Sequence, residues 1–251
     1  MEIGSNVRKV QARLLEMAVK IAGILERNDV PYQIAFGTLL GAVRHGGFIP
    51  WDDDFDLALF DDTYDRAIEI LRSELPQDMF VEDEKSEPRY FHGWAHVKDL
   101  NSAAHCDLFP QDNLYSHHGL SVDLYRWKRM HSSRLLDYRL QELARYLGRK
   151  REKGVIGKME HDRTLSELRA KIEQEEIRNP VAEGIVYGMA MQERFVREQD
   201  IFPLVKYKFE NLEFYGPNNY DGILRHFYGD YMQLPEEGHR FSHYSEVNFY
   251  E

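Results

Sequence analysis

Phe36-Gly37-Thr38-Leu39-Leu40-Gly41-Ala42-Val43-Arg44-His45-Gly46-Gly47-Phe48-Ile49-Pro50-Trp51-Asp52-Asp53-Asp54-Phe55-Asp56-Leu57 is the stretch on which the reading of this chain turns. A glycine turn opens it and a dense group of aspartates, Asp52, Asp53, Asp54 and Asp56, closes it among apolar neighbours. Phe55, Leu57 and Leu59 alternate with Asp54, Asp56 and Ala58, the period of two of a half-buried strand. On that reading Asp54 and Asp56 share a face with Cα atoms roughly 6.5 to 7 Å apart, within reach of one hard cation or a pair of them. With no histidine or cysteine at ligand spacing, an all-oxygen set favours Mg²⁺ or Mn²⁺ over Zn²⁺.

A solvated turn preceding a strand is the bland explanation of Asp52–Asp54. Against it, the acids run on into the strand, a Gly37-Thr38 turn precedes them, and a further isolated acid, Asp123, sits in the apolar run Ser121-Val122-Asp123-Leu124-Tyr125. A charge inside such a run is costly unless paired or bound to metal.

A Gly-Thr turn after an apolar strand, Asp-x-Asp on the next strand and a lone Asp on a later one form the pattern of the nucleotidyltransferase superfamily. The fuller string GTLLGAVRHGGFIPWDDDFDLAL resembles the LicD family, which includes bacterial phosphocholine transferases and the animal fukutin-related proteins. A second block agrees: Phe202 to Phe214, Pro217-Asn218-Asn219-Tyr220, Tyr228-Gly229-Asp230-Tyr231-Met232 and Leu234-Pro235 follow in the family's order. The resemblance spans most of residues 31–126 and 202–243 and is weak between them.

The resemblance implies metal binding and catalysis by Asp54, Asp56 and Asp123, approach of the nucleotide's phosphates to Gly37 and Thr38, and a basic-acidic pair at Lys98-Asp99. Around the third acid the family reads Gly-x-Phe-Ile-Asp-Ile-Phe-Pro. This chain has Gly119-Leu120-Ser121-Val122-Asp123-Leu124-Tyr125-Arg126 and departs from the pattern after the acid. Arg44 and His45, between the phosphate turn and the metal strand, are further candidates for substrate phosphate, against their ordinary reading as surface-loop residues. Lys98 has an ordinary reading as a strand-end lysine, but a cation there could help neutralise a transferring phosphoryl group.

The implied activity is metal-dependent transfer of a phospho-substituent, foremost phosphocholine from CDP-choline, to a hydroxyl of a cell-surface glycan or glycolipid acceptor or its precursor, such as lipopolysaccharide or teichoic acid. CDP-ribitol or CDP-glycerol as donor, nucleotidyl transfer from an NTP to a small molecule, and a noncatalytic glycan-binding homologue are the alternatives. The acids alone do not separate these reactions, because the metal geometry is common to them. Trp94, Tyr115, Tyr125 and Trp127 offer aromatic faces for a choline cation, but aromatics at this density are more often core.

Composition is compatible with this. A chain of 251 residues with 43% hydrophobic content can bury a full core, and one compact unit is expected. Within it, residues 1–130 form the catalytic core with an N-terminal helix, 131–200 a helical region, and 201–251 a segment packing back on the core. A net charge of −11 argues against nucleic acid as partner. The single cysteine, Cys106, points to a reducing compartment. No run of 18 apolar residues and no basic-then-apolar leader pattern occurs, so the expectation is a cytoplasmic protein without a transmembrane segment, visiting the inner membrane surface peripherally if its acceptor is lipid-linked.

The expected fold class is α+β, a nucleotidyltransferase-like mixed β-sheet core flanked by helices with a helical insertion. Val7, Val10, Leu14, Met17, Ile21 and Ile24 line one helix face, and Tyr32–Phe36 reads as the first core strand. Asp61 or Asp62 caps a helix with Tyr64, Ala67, Ile68, Leu71 and Leu75 on its apolar face. Met79–Glu82 and Tyr90–Val97 read as strands. His117-His118-Gly119 reads as a polar turn, and His92, His96 and His105 show no metal spacing. Leu136–Leu147 and Leu165–Ile172 mark two helices with Gly154–Gly157 between them, and Val181–Val196 is expected to pack on the core. A strand at Leu212–Tyr215, a turn at Gly216–Asn219 and a helix around Ile223–Tyr228 close the chain.

Overall fold

The computed structural model describes residues 6–107, 109–175, 183–187, 194–240 and 242–250. Helix α1, Val7–Arg27, buries Val10, Leu14, Met17 and Ile21 along one face, the three-four spacing of its apolar residues. It stops where Asp29 takes a left-handed φ of 53° ahead of Pro31, which cannot continue a helix. Strand β1, Tyr32–Ile34, leads into α2, Phe36–His45. After the acidic loop come β2, Asp56–Phe60, and α3, Asp61–Glu74.

The remaining elements are β3 (Met79–Glu82), β4 (Ala95–Asp99), β5 (Ser102–Cys106) and β6 (Ser121–His131), then helices α4 (Leu135–Glu152) and α5 (Lys158–Gln174). Strands β7 (Glu183–Tyr187) and β8 (Phe195–Arg197) follow, with a short α6 (Glu198–Ile201). The closing part holds β9 (Val205–Phe209), β10 (Leu212–Gly216), α7 (Tyr220–Tyr228) and β11 (Tyr244–Phe249).

The central sheet runs β1-β2-β6-β4-β3. Only the β2–β6 pair is parallel; β1–β2, β6–β4 and β4–β3 are antiparallel. The long β6 pairs with β4 through Ser121–Leu124 and with β7 through Trp127–His131, and β8 extends β7. All five residues of β2 are buried, as expected of a central strand covered on both faces. One face of β6 carries Leu124 and Arg126 toward α3, where the Tyr64 hydroxyl donates to the Leu124 carbonyl and Arg126 lies over the Tyr64 ring. By the period of two, Asp123, Tyr125 and Trp127 share the opposite face, where Tyr125 and Trp127 pack on Phe36.

The C-terminal segment closes over that second face. The β9–β10 hairpin presents Tyr215 edge-on to Tyr32 of β1, with centroids 5.8 Å apart. Strand β11 pairs antiparallel with β5. Helices α4 and α5 form a hairpin with its own small core of Leu143, Leu147 and Ile172, joined through Gly154 at φ +73°. Among the described residues no helix is long and apolar enough to cross a membrane.

Several local expectations change. The strand expected from Tyr90 begins only at Ala95, because Tyr90 and Phe91 pack with Tyr115 in a separate aromatic cluster instead of pairing. Asp61 and Asp62 occupy the first turn of α3 and make no side-chain cap; Asp61 binds Arg126 and Asp62 binds Arg129. In the stretch 131–200, β7 and β8 add strands beside the two helices, and Val181, Pro180 and residues 188–193 lie outside the described residues. Strands β5, β9 and β11 have no counterpart in the periodicity reading.

Candidate active site

Strand pairing brings the acids together. Parallel register places Asp56 of β2 beside Asp123 of β6, and antiparallel register places His96 of β4 on the other side of Asp123. Asp56 is 4% exposed and faces Asp54, Asp123 and Asp52; burial first, then these like charges, holds its carboxyl well above the usual carboxylate range. Asp54 lies just before the strand instead of within it. Asp52 is also pushed up, by burial and then by Asp54.

Two buried oxygens of this group, Oδ1 of Asp54 and Oδ1 of Asp56, have no hydrogen-bond partner. Buried carboxylate oxygens without donors are expensive, and a cation is the species that resolves several of them at once. Buried carboxylate oxygens of this kind suit a hard divalent metal.

Gly37 and Thr38, expected in a turn, lie in the first turn of helix α2 and are shaped to the acids. A Cβ on Gly37 would stand 2.9 Å from Oδ2 of Asp52 and 3.9 Å from Oδ1 of Asp54, so any larger residue would displace the Asp52 carboxylate. The Thr38 hydroxyl accepts a 2.8 Å hydrogen bond from the Asp56 N–H, fixing the start of β2 against α2. Phe36 holds a left-handed φ of 44°, a strained conformation for a bulky residue. Its ring is held by Tyr125 at 5.1 Å, Phe227 at 5.8 Å and Trp127 at 6.0 Å. The first N–H groups of α2, without intrahelical acceptors, lie next to the acids.

Asp123 is oriented by three neighbours. Trp94 Nε1 and the Tyr125 hydroxyl each donate to its Oδ2 at 3.0 Å, and His96 Nε2 stands 3.6 Å from its Oδ1. Burial lowers His96 to about 3, against the pull of Asp123, so its ring is neutral. The other ring nitrogen faces Oε2 of Glu82 at 3.4 Å, and burial pushes Glu82 up to about 7.

The other anticipated residues take separate places. Lys98 is buried, donating to the Gly119 carbonyl at 3.3 Å and standing 3.9 Å from Glu82, one step back from the aspartates. Arg44 donates to the Tyr231 carbonyl at 2.7 Å and through Nε to His45 Nε2 at 3.0 Å, which ties α2 to the C-terminal loop. Trp51 packs between His45 and Arg240. Trp94, Tyr115 and Trp127 are all nearly fully buried, so their faces serve packing. A cleft of about 550 Å³ between α3 and α4 is lined by Arg126, Arg145, Arg149 and Tyr138; it shares Trp94 with the site but none of the four aspartates.

Two residues near the acids were not anticipated. Asp53, 0% exposed, accepts the His243 N–H at 2.8 Å and the Tyr244 N–H at 3.0 Å and holds His243 Nδ1 at 2.8 Å. That contact carries His243 Nε2 to 3.3 Å from Oδ2 of Asp54. One ligand atom each from Asp52, Asp54 and His243 lies within 4.8 Å of the others. Sequence spacing did not bring out this histidine, which reaches the acids from 190 residues beyond Asp53, just ahead of β11. Burial opposes the imidazolium, but Asp54, Asp53 and Asp52 outweigh it and pull His243 up to about 11.

Residues 29–134 match the model of the LicD/FKTN/FKRP nucleotidyltransferase domain. Over 95% of its length the chain is 26% identical to the lipopolysaccharide cholinephosphotransferase LicD of Haemophilus influenzae, covering 96% of that protein. A 47-residue stretch, 19% of this chain, is 49% identical to the ribitol 5-phosphate transferase FKRP of human and of mouse, of which it covers 10%. The segment that holds Gly37, Asp54, Asp56 and Asp123 thus matches the LicD/FKTN/FKRP domain model, in a chain similar to LicD over nearly its whole length.

Proposed function

We propose that this protein is a divalent-metal-dependent phosphotransferase with a nucleotidyltransferase-like core, moving a phospho-substituent from a CDP-linked donor to a hydroxyl of a cell-surface glycan or its precursor. Phosphocholine from CDP-choline is the foremost transfer, in line with the near-full-length similarity to a lipopolysaccharide cholinephosphotransferase. The observation that carries the reading is the in-register pair Asp56 and Asp123, joined by Asp54, with two buried carboxylate oxygens left unpartnered.

Asp54, Asp56 and Asp123 would hold Mg²⁺ or Mn²⁺, which when bound neutralises charge on the donor's diphosphate oxygens. The N–H groups at the start of α2, around Gly37 and Thr38, which lack intrahelical acceptors, would receive a phosphate oxygen. Asp123, steered through Oδ2 by Trp94 and Tyr125, keeps Oδ1 to orient the acceptor hydroxyl and take its proton. The acceptor oxygen then bonds to the phosphorus in line with the leaving CMP, whose bridging P–O bond breaks. Lys98 and Arg44 act behind this site, as anchors of the β4–β6 region and of the C-terminal loop.

The test is incubation with Mg²⁺ and a panel of CDP-choline, CDP-ribitol, CDP-glycerol, CTP and ATP, together with a deacylated lipopolysaccharide acceptor, with and without EDTA. EDTA-sensitive CMP release from one CDP-linked donor, with phospho-substituent on the acceptor, is the expected result. Pyrophosphate from CTP or ATP would reassign the site to nucleotidyl transfer. The short stretch similar to a ribitol 5-phosphate transferase makes CDP-ribitol the second donor to try.

A further inference from the structure

His243 lies outside the matched segment 29–134, and an imidazole beside a carboxylate is often only an ion pair. Three features distinguish this one. First, the ring is fixed from behind: fully buried Asp53 holds Nδ1 at 2.8 Å and also receives the backbone N–H groups of His243 and Tyr244. A carboxylate on one ring nitrogen is the arrangement that orients a metal-ligating histidine and raises the basicity of the other nitrogen.

Second, the spacing suits coordination. Ligands about 2.1 Å from one ion lie roughly 3.0 to 3.4 Å apart when adjacent, for octahedral or tetrahedral sites. Nε2 of His243 stands 3.3 Å from Oδ2 of Asp54, within that range, and Asp52 adds a third candidate ligand atom beside them. Third, the acids beside them have unmet demand for a cation. Asp56, 4% exposed, keeps an unpartnered buried Oδ1, and Asp54 keeps its own.

We propose that His243 is a nitrogen ligand of the cation held by the acid cluster, that Asp53 is its positioning residue, and that the site prefers Mn²⁺ to Mg²⁺. The inference rests on the metal-dependent reading above and narrows it. Mg²⁺ holds to oxygen donors and keeps its waters, whereas imidazole suits transition metals. Because His243 stands at the start of β11, which pairs with β5, the metal site is complete only when this strand is docked.

The test uses the full chain loaded with Mn²⁺ alone and reads the electron spin echo of the bound ion. The expected spectrum shows ¹⁴N modulation that disappears in His243→Gln, with Mn²⁺ affinity falling by about 10-fold or more and Mg²⁺ affinity falling less. Asp53→Asn should lower Mn²⁺ affinity by about 10- to 100-fold by releasing the ring. The wild-type spectrum decides even if a variant fails to fold. Bound Mn²⁺ without ¹⁴N modulation, or modulation that survives in folded His243→Gln, overturns the assignment of His243 and leaves the transferase reading standing. No Mn²⁺ binding at all overturns both this assignment and the metal dependence proposed above.

Discussion

Two groups of carboxylates in this molecule are built from the same residue type and treated in opposite ways. Around Arg13 on α1, the guanidinium reaches Asp99 at 2.6 Å, Asp78 at 2.8 Å and Glu16 at 2.8 Å. Hydrogen bonding to Asp99 is the main reason Arg13 is held above its ordinary range, and the same guanidinium lowers Asp78. Around Asp56, four carboxylates converge, the nearest cation is a histidine at one edge, and burial together with mutual repulsion pushes Asp52 and Asp56 up. The first group has its charge balanced by a cation within the chain, although Asp99 Oδ2 and Arg13 Nε still lack hydrogen-bond partners. The second is compensated only in part, by His243 at its edge, and we propose that a bound cation completes it.

The largest expected effect comes from breaking the second group. Asp54→Asn or Asp56→Asn should reduce transfer by about 10³-fold or more while leaving the metal-free protein's melting temperature level or higher, since a repelling charge is removed. Turnover near wild type in a folded variant would reverse the contrast. Gly37→Ala comes next: the added methyl meets Oδ2 of Asp52 at 2.9 Å, so activity should drop by about 10-fold or more through displacement of the acids, with far-ultraviolet circular dichroism unchanged.

In the first group the signs invert. Arg13→Ala leaves Asp99, whose side chain is fully buried, without its ion partner and should cost about 3 kcal/mol in urea unfolding, with kcat retained well below the melting temperature. Acid acts on the same network more gently. Asp78 has its folded pKa below the unfolded value, so its contribution is present above the unfolded pKa and is lost as pH falls through the folded one. The melting temperature should therefore decline below about pH 4, and Arg13→Ala should flatten that decline. The smallest effect is at the surface, where Arg129→Ala breaks exposed pairs to Asp62 and Glu198 and should cost no more than about 1 kcal/mol.

How much could be read from residues alone follows from how far each partner lies along the chain. The turn at Gly37-Thr38 and the acids up to Asp56 are close in sequence, so local pattern carried both, and a lone acid in the apolar run around Asp123 stood out because burial of charge is costly. Helices α1, α3, α4, α5 and α7 were legible from their apolar stripes. Strands β5 and β11 lack strong alternation and exist because they pair with each other across about half the chain. His243 was invisible for the same reason: its neighbour Asp53 is chosen by tertiary docking, and no spacing rule reaches that far. Trp94 and Tyr125 read as aromatics, and only the structure shows their polar ends spent on Asp123.

We propose that the Asp54–Asp56–Asp123 group carries more negative charge than His243 offsets and is built for a divalent cation. Its most direct test is a titration of the full chain with Mn²⁺, following the free-ion paramagnetic resonance signal, in wild type and in the Asp54→Asn/Asp56→Asn double variant. Saturable binding is expected in wild type, reversed by EDTA and lost in the folded double variant. Equal Mn²⁺ uptake by both proteins would contradict it.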